Sequence, residues 1–150
     1  MFMMLRRDIG MNTKKAAHDL RVLGGKSGEI LRAVMNTIIP RGGAFGPGAA
    51  DYDLLPRAGQ LIMSYDPAIR RIFPVMLIYV QYGAAARYGK VFTSLGEEKR
   101  IRFLDSMEKS RFFFRRMIML LLKLITMLTF YESDETARLT GYEHGCKWKK

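Results

Sequence analysis

The stretch Met117-Ile-Met-Leu-Leu-Leu-Lys-Leu-Ile-Thr-Met-Leu-Thr-Phe130 decides the fold of this chain, because its only charged residue is Lys123. It closes a helical run that begins near Ser94 and reaches Tyr131. A helix that is apolar on all sides must be buried. The chain has 150 residues, the size of one domain, so its other helices or a partner must enclose this one.

The composition is that of a globular domain with a basic surface. Apolar residues make up 49% of the chain and charged residues 26%, which is enough for a core and argues against disorder. The formal net charge of +11 favours an acidic partner, an anionic membrane face or nucleic acid. The basic excess is diffuse, except at the two ends of the chain.

Turn residues divide the chain into helical blocks, and no alternating pattern indicates a strand. We expect Ser27 to cap a first helix that Pro40 stops, followed by a glycine-rich connecting loop. A second helix should begin near Asp51 or at Pro56 and end at about Ser64, since proline is tolerated in a first turn.

The third predicted helix has the clearest boundaries. Asp66 followed by Pro67 is a typical helix start, with a capping side chain and then proline at the first helical position. The helix should run to about Tyr88, kink at Pro74 and end at Gly89.

The fourth block should begin with a capping box from Ser94 to Glu97 and end in a bend between Ser106 and Arg111. Two oppositely charged pairs spaced four residues apart predict its solvated side, Glu98 with Arg102 and Asp105 with Lys109. Its inward side is expected to hold Ile101, Leu104 and Met107.

A short last helix is marked by Asp134 as cap and Gly141 as stop. The sequence therefore predicts an all-α fold, a compact single-domain bundle of about five or six helices around a buried apolar helix. Residues 26–142 form the helical domain, residues 1–25 a basic arm and residues 143–150 a basic tail.

Catalytic and ligand-binding motifs find little support. Gly25-Lys26-Ser27 resembles the end of a phosphate-binding loop, but the glycine required five positions earlier is replaced by Leu20. His18, His144 and Cys146 are too few for a nucleophilic triad or a closed zinc site. We predict no catalytic, cofactor or metal site in this chain. The single cysteine excludes an intrachain disulfide and leaves an interchain one open.

Neither a signal peptide nor a membrane span is predicted. Arg6-Arg7 is not followed by the apolar stretch that an export signal needs, and the longest apolar segments carry charges or proline. As written, the chain is expected to be cytoplasmic. It would be periplasmic or membrane-associated if it were exported together with a partner.

Phe112, Phe113 and Phe114 predict an interface. Three consecutive residues cover roughly 200° of a helix, so at least one must face a second layer, either this chain's own helices or another subunit. Arg115 and Arg116 beside them could contact phosphate, but no nucleic-acid motif accompanies them, and we expect no nucleic-acid binding. The candidate partner-interface residues are Phe112, Phe113, Arg115, Arg116, Tyr131, Tyr142 and Trp148.

The order of several short segments resembles the small third subunit of gluconate 2-dehydrogenase and the gamma subunit of flavin-dependent glucose dehydrogenases. The resembling segments are Ala33-Val-Met-Asn-Thr-Ile-Ile-Pro40, Pro47-Gly48-Ala49, Phe92-Thr-Ser-Leu95, Glu98-Lys-Arg100 with Leu104, Leu122-Lys-Leu124 to Tyr131, and Leu139-Thr-Gly-Tyr142. The resemblance covers about residues 30–142.

This resemblance implies an all-helical, non-catalytic accessory subunit that packs on a large FAD-containing dehydrogenase of the glucose-methanol-choline type. It also implies a cytochrome c subunit as electron acceptor in some of these complexes, and no cofactor in the small subunit itself. Two alternatives stay open. One is a peripheral membrane protein that uses the basic arm and Phe112 to Phe114 on anionic lipid, and the other is a small helical enzyme with an unfamiliar site.

Overall fold

The computed structural model describes residues 25–43, 46–132, 136 and 138. This part of the chain holds five α-helices and two short 3-10 turns, and no strand occurs within it. The predicted all-α bundle is therefore confirmed. The helices are α1 (Gly25–Ile38), α2 (Leu55–Ser64), α3 (Pro67–Tyr88), α4 (Glu97–Glu108) and α5 (Phe113–Tyr131), and the 3-10 turns are Ala49–Asp51 and Phe92–Ser94.

Helix α1 lies at the centre of the bundle, because it contacts each of the other four helices. Its residues Leu31 and Val34 are completely buried. The helix ends before Pro40, as predicted. Ser27 does not cap it, since the helix already includes Gly25 and Lys26.

The loop after α1 is fixed by Asp51. The backbone N–H of Gly48 donates to Asp51 Oδ2 at 2.8 Å, and Arg41 Nη2 lies 2.6 Å from Asp51 Oδ1. The Gly48 hydrogen bond, helped by Arg41, lowers the pKa of Asp51 below its ordinary value. Only glycine fits at position 48, because a Cβ there would lie 2.7 Å from the backbone nitrogen of Arg41. The segment is therefore a structural connector, as the sequence predicts.

Helix α3 has the boundaries that the sequence predicts. Asp66 Oδ1 accepts from the backbone N–H of Ala68 at 2.8 Å, and Pro67 occupies the first turn. Gly89 ends the helix in the left-handed conformation, with φ of 72°. The helix is continuous across Pro74, and the kink there stays a prediction.

Helix α4 begins later than predicted, and the capping box at Ser94 is wrong. Ser94 belongs to the 3-10 turn that buries Phe92, and the N-cap of α4 is Gly96. Arg100 holds this turn to the helix by donating from Nε to the Phe92 carbonyl at 3.1 Å and from Nη2 to the Thr93 carbonyl at 2.5 Å. Burial of Phe92 therefore outweighs the local capping preference.

The two faces of α4 are largely as predicted. The ion pairs Glu98–Arg102 and Asp105–Lys109 form on its outer side, at 2.6 and 2.9 Å. The hydrogen bond and the charge of Asp105 raise the pKa of Lys109. The inward assignment is wrong for Ile101, which is 46% exposed. The buried residues of α4 are Phe103, Leu104 and Met107.

The predicted bend separates α4 from α5 at residues 109–112. An ion pair of 2.6 Å between Glu108 and Lys123 ties the two helices together. Helix α5 packs on α1, α2 and α4. The expectation that the chain's own helices enclose α5 is confirmed for one face only.

Candidate interaction surface

Helix α5 has two apolar faces that lie on opposite sides. The inner face is buried in the bundle. Within it, the hydroxyls of Thr126 and Thr129 donate to the carbonyls of Leu122 and Ile125 at 2.7 and 2.6 Å, so these polar groups are satisfied without a partner from another helix. The outer face consists of Phe113, Phe114, Met117, Leu120, Leu124, Met127, Leu128 and Tyr131, all between 39% and 68% exposed.

These eight residues form one uninterrupted strip, which we call the α5 stripe. At 100° per residue they fall in a sector about 140° wide. The only other α5 residue in that sector is Leu121, which is half-buried, so the stripe contains no charged side chain. Arg116 and Lys123 lie beside it.

The stripe is large for a free surface. Phe112, at 71% exposure, extends it past the start of the helix, and Phe113 and Phe114 are 68% and 56% exposed. Because a free aromatic side chain offers roughly 150 to 250 Å², these three alone present on the order of 400 Å². That already matches the largest apolar patch of a typical monomer, roughly 300 to 600 Å². The leucines and methionines of the stripe add to it.

Helix α3 carries a second exposed apolar strip. Its members, which we call the α3 stripe, are Ile72, Val75, Ile78, Tyr79 and Tyr82. At 100° per residue they fall in a sector about 120° wide, opposite the buried Phe73, Leu77 and Val80. The two stripes meet where the rings of Tyr79 and Phe114 pack edge to face, with centroids 5.9 Å apart.

The basic residues near the stripes have few acidic neighbours. Neither α3 nor α5 contains an aspartate or a glutamate. Arg71, Arg111 and Arg116 are exposed, and none of them forms an ion pair with the described part of the chain. Lys123 differs, because Glu108 neutralises it.

The structure brings part of the predicted interface together. Phe113 and Tyr131 belong to the α5 stripe, while Phe112 precedes it and Arg116 borders it. Arg115 is half-buried on the opposite side of the helix, and its Nε has no hydrogen-bond partner among the described residues. The predicted residues Tyr142 and Trp148 lie outside the described residues, as do His18, His144 and Cys146.

The sequence prediction missed the middle of the α5 stripe and the whole α3 stripe. A helix that is apolar on all sides is expected to be enclosed, by the chain's own helices or by a partner, and this expectation does not separate Leu120 and Leu124 from the core residues. For α3 a signal exists in the spacing of Ile72, Val75, Tyr79 and Tyr82, which places them on one side of the helix. That side is distinct from the one formed by Phe73, Leu77 and Val80.

Three clefts in the described part of the chain lie outside the stripes or at their edge, and one of them is lined by Lys90 and Lys99 beside the start of α4. Another, of about 310 Å³, lies between α1 and the Ala49–Asp51 turn and is crossed by an ion pair of 3.6 Å between Arg32 and Asp53. The third, of about 360 Å³, is lined by Ile78 and Tyr82 of the α3 stripe and by the start of α1. The third cleft therefore adjoins the exposed apolar surface.

The described residues hold no cluster of three or more His, Cys, Asp or Glu side chains that could bind a metal ion. No helix among them combines the length and the apolar character that crossing a bilayer requires. Asp51 and Lys109, the groups in the described part of the chain whose pKa values are shifted, have structural partners outside both stripes. The exposed apolar surface is thus the feature that suggests a function.

One comparison with known proteins gives a match. A family model described as Gluconate 2-dehydrogenase subunit 3 matches residues 26–145, which is most of the chain. No curated protein and no solved structure matches the chain.

Proposed function

Because the chain belongs to the gluconate 2-dehydrogenase subunit 3 family, we propose that it is a non-catalytic accessory subunit. It packs on a large dehydrogenase subunit of the glucose-methanol-choline type and stabilises it. In this proposal the large subunit holds FAD, and a cytochrome c subunit is a further expected partner.

The α5 stripe is the observation that carries the proposal. The strip runs without interruption along a helix of roughly 28 Å. Monomeric soluble proteins rarely expose apolar patches of this size, and such patches mark interaction sites. A dehydrogenase subunit would bury this strip against its neighbour. The family name supports such a neighbour, because it describes one subunit of a larger enzyme.

The magnitudes favour an interface that uses the whole stripe. At about 25 cal/mol per Å², burying the 400 Å² of the three phenylalanines yields roughly 10 kcal/mol. Association costs roughly 4 to 15 kcal/mol, so the phenylalanines alone would barely offset it. The remaining residues of the stripe provide the surplus that makes a stable complex.

The test uses the full-length chain co-expressed with the large flavoprotein subunit, which carries the only affinity tag. We expect the two to co-purify at fixed stoichiometry, with the flavin spectrum in the complex and none in this chain alone. The variant L120E/L124K should abolish co-purification. It leaves the net charge unchanged and places a glutamate four residues before a lysine, which suits an exposed helix.

The matched control is Ile101→Gln, because Ile101 is an exposed apolar residue on α4, outside both stripes. This variant should co-purify like the wild type. The proposal fails if the wild-type chain does not bind the large subunit. Docking through α5 fails if L120E/L124K binds as well as Ile101→Gln does.

A second candidate function is favoured by one local feature. Phe112, Phe113 and Phe114 are exposed beside Arg111 and Arg116, an arrangement that suits the surface of an anionic membrane. Sedimentation of the full-length chain with phosphatidylserine-containing vesicles, and not with phosphatidylcholine vesicles, would support it. Equal recovery from both would count against it.

A further inference from the structure

We infer that the docking surface continues from α5 onto α3, and that the matching surface of the large subunit is apolar and bordered by carboxylates. This inference rests on the proposed function, since it names the partner chemistry of the same interface. It adds a second helix and a charge requirement, neither of which follows from the family match.

The continuity of the surface follows from the Tyr79–Phe114 contact. The Phe114 ring belongs to the α5 stripe and the Tyr79 ring to the α3 stripe, and they touch edge to face. The two rings join the stripes directly at this point. A partner that covers the start of α5 therefore also meets α3.

The cleft beside α3 extends the surface on its far side. Ile78 and Tyr82 belong to the α3 stripe and also line this cleft of about 360 Å³. The cleft has one lysine and one glutamate at its edge, Lys26 and Glu29, whose charges cancel. It therefore gives the surface a concave site with little net charge. Pockets of this kind hold the anchoring side chains of tight interfaces.

The charge requirement follows from the absence of acidic residues in α3 and α5. Together the two helices carry Arg70, Arg71, Arg87, Arg115, Arg116 and Lys123, and no aspartate or glutamate. Of the cations beside the stripes, Arg71, Arg111 and Arg116 are without an ion pair in the part of the chain that the structure describes. Burying these unpaired arginines at the edge of an interface is favourable only where they face negative charge on the partner.

A second copy of the chain does not meet this requirement. It would present the same two helices without acidic residues and so bring positive charge against positive charge. Like charges that face each other across an interface cost several kcal/mol.

Lipid fits less well than a protein surface. A helix that lies in a membrane interface carries lysine and arginine along its polar side. Here the unpaired cations lie at the start of α3 and at the start of α5, while the apolar stripe runs on to Tyr131. The opposite side of α5 is packed in the bundle core.

Two doubly charge-reversed variants test the charge requirement with the complete complex. R71E/R116E changes cations beside the stripes, whereas the control K90E/K99E changes exposed lysines at a different cleft by the same amount of charge. Binding to the purified large FAD subunit should weaken about tenfold or more for R71E/R116E and change little for K90E/K99E. Added NaCl should weaken the wild-type complex more than the R71E/R116E complex.

The α3 extension is tested by I72Q/V75Q, which removes apolar area without changing charge, with Ile101→Gln as control. We expect I72Q/V75Q to bind the large subunit about tenfold more weakly than the control does. Unchanged binding would overturn the extension onto α3. Equal binding of the two charge-reversed variants would overturn the inference that carboxylates border the matching surface of the large subunit.

The remaining outcomes concern a second copy of the chain or a lipid surface as the partner that covers the two stripes. If the chain elutes as a dimer that R71E/R116E abolishes, or if it binds phosphatidylserine vesicles more tightly than the large subunit, the inferred occupant is wrong. If the wild-type chain does not bind the large subunit at all, the proposed function itself fails. The two failures are therefore distinguishable.

Discussion

Helices α4 and α5 are neighbours in sequence and in space, yet their outer sides are opposite in character. Each buries an inner face in the bundle, and the Glu108–Lys123 ion pair joins them. The outer side of α4 carries two ion pairs between residues four apart. The outer side of α5 carries leucine, methionine and phenylalanine. Contact with water accounts for the first pattern and not for the second.

The largest expected effect lies on the inner face of α4. Phe103 is 1% exposed, and its ring packs against Phe92 and Tyr88. Phe103→Ala should lower the free energy of unfolding of the full-length chain by about 3 to 5 kcal/mol, because it leaves a cavity. Urea denaturation followed by circular dichroism measures this change. The control Ile101→Ala, on the outer side, should cost less than about 0.5 kcal/mol.

A matched pair of leucines on α5 tests the distinction between its buried inner face and its exposed outer face. Leu122 is completely buried and Leu120 is 61% exposed, although they lie two residues apart on one helix. In urea denaturation of the full-length chain at low protein concentration, Leu122→Ala should cost about 2 to 5 kcal/mol. Leu120→Ala should cost less than about 0.5 kcal/mol. Equal costs for the two variants would show that the outer face is covered in the isolated chain.

Much of this architecture is predictable from the sequence because its signals are local. The start of α3 needs only the Asp66 side chain and Pro67, and its end needs only the left-handed conformation of Gly89. The capping box at Ser94 failed because a longer-range effect competes with it. Phe92 is buried against other helices and draws Ser94 into a 3-10 turn.

The exposed apolar surface was harder to predict because sequence does not tell an apolar residue that its own chain buries from one that the fold leaves exposed. Both classes are apolar, as Leu122 and Leu120 show. The three phenylalanines Phe112, Phe113 and Phe114 are an exception, since three consecutive residues cannot all face one core, and all three are exposed. Farther along α5 the apolar residues could all have been core residues. Only the packing of α1, α2 and α4 on one side separates them.

The Tyr79–Phe114 contact is expected to have a smaller effect. In the full-length chain, a double-mutant cycle of Tyr79→Leu and Phe114→Leu should give a coupling energy of about 0.5 to 1.5 kcal/mol, the usual contribution of an edge-to-face pair. Urea denaturation of the four proteins measures it. A coupling energy of zero would mean that the two stripes are separate surfaces in solution.

The smallest expected effect belongs to the outer side of α4. The Glu98–Arg102 pair is highly exposed, with side chains 79% and 69% accessible, and it is spaced four residues apart in the favourable order. A double-mutant cycle of Glu98→Gln and Arg102→Gln should therefore give only about 0.2 to 0.5 kcal/mol of coupling, and less at high salt. Neither variant should change binding to the large subunit, because the outer side of α4 lies outside both stripes, which form the proposed docking surface. A loss of binding on Glu98→Gln would extend the interface to α4 and remove the contrast between the two helices.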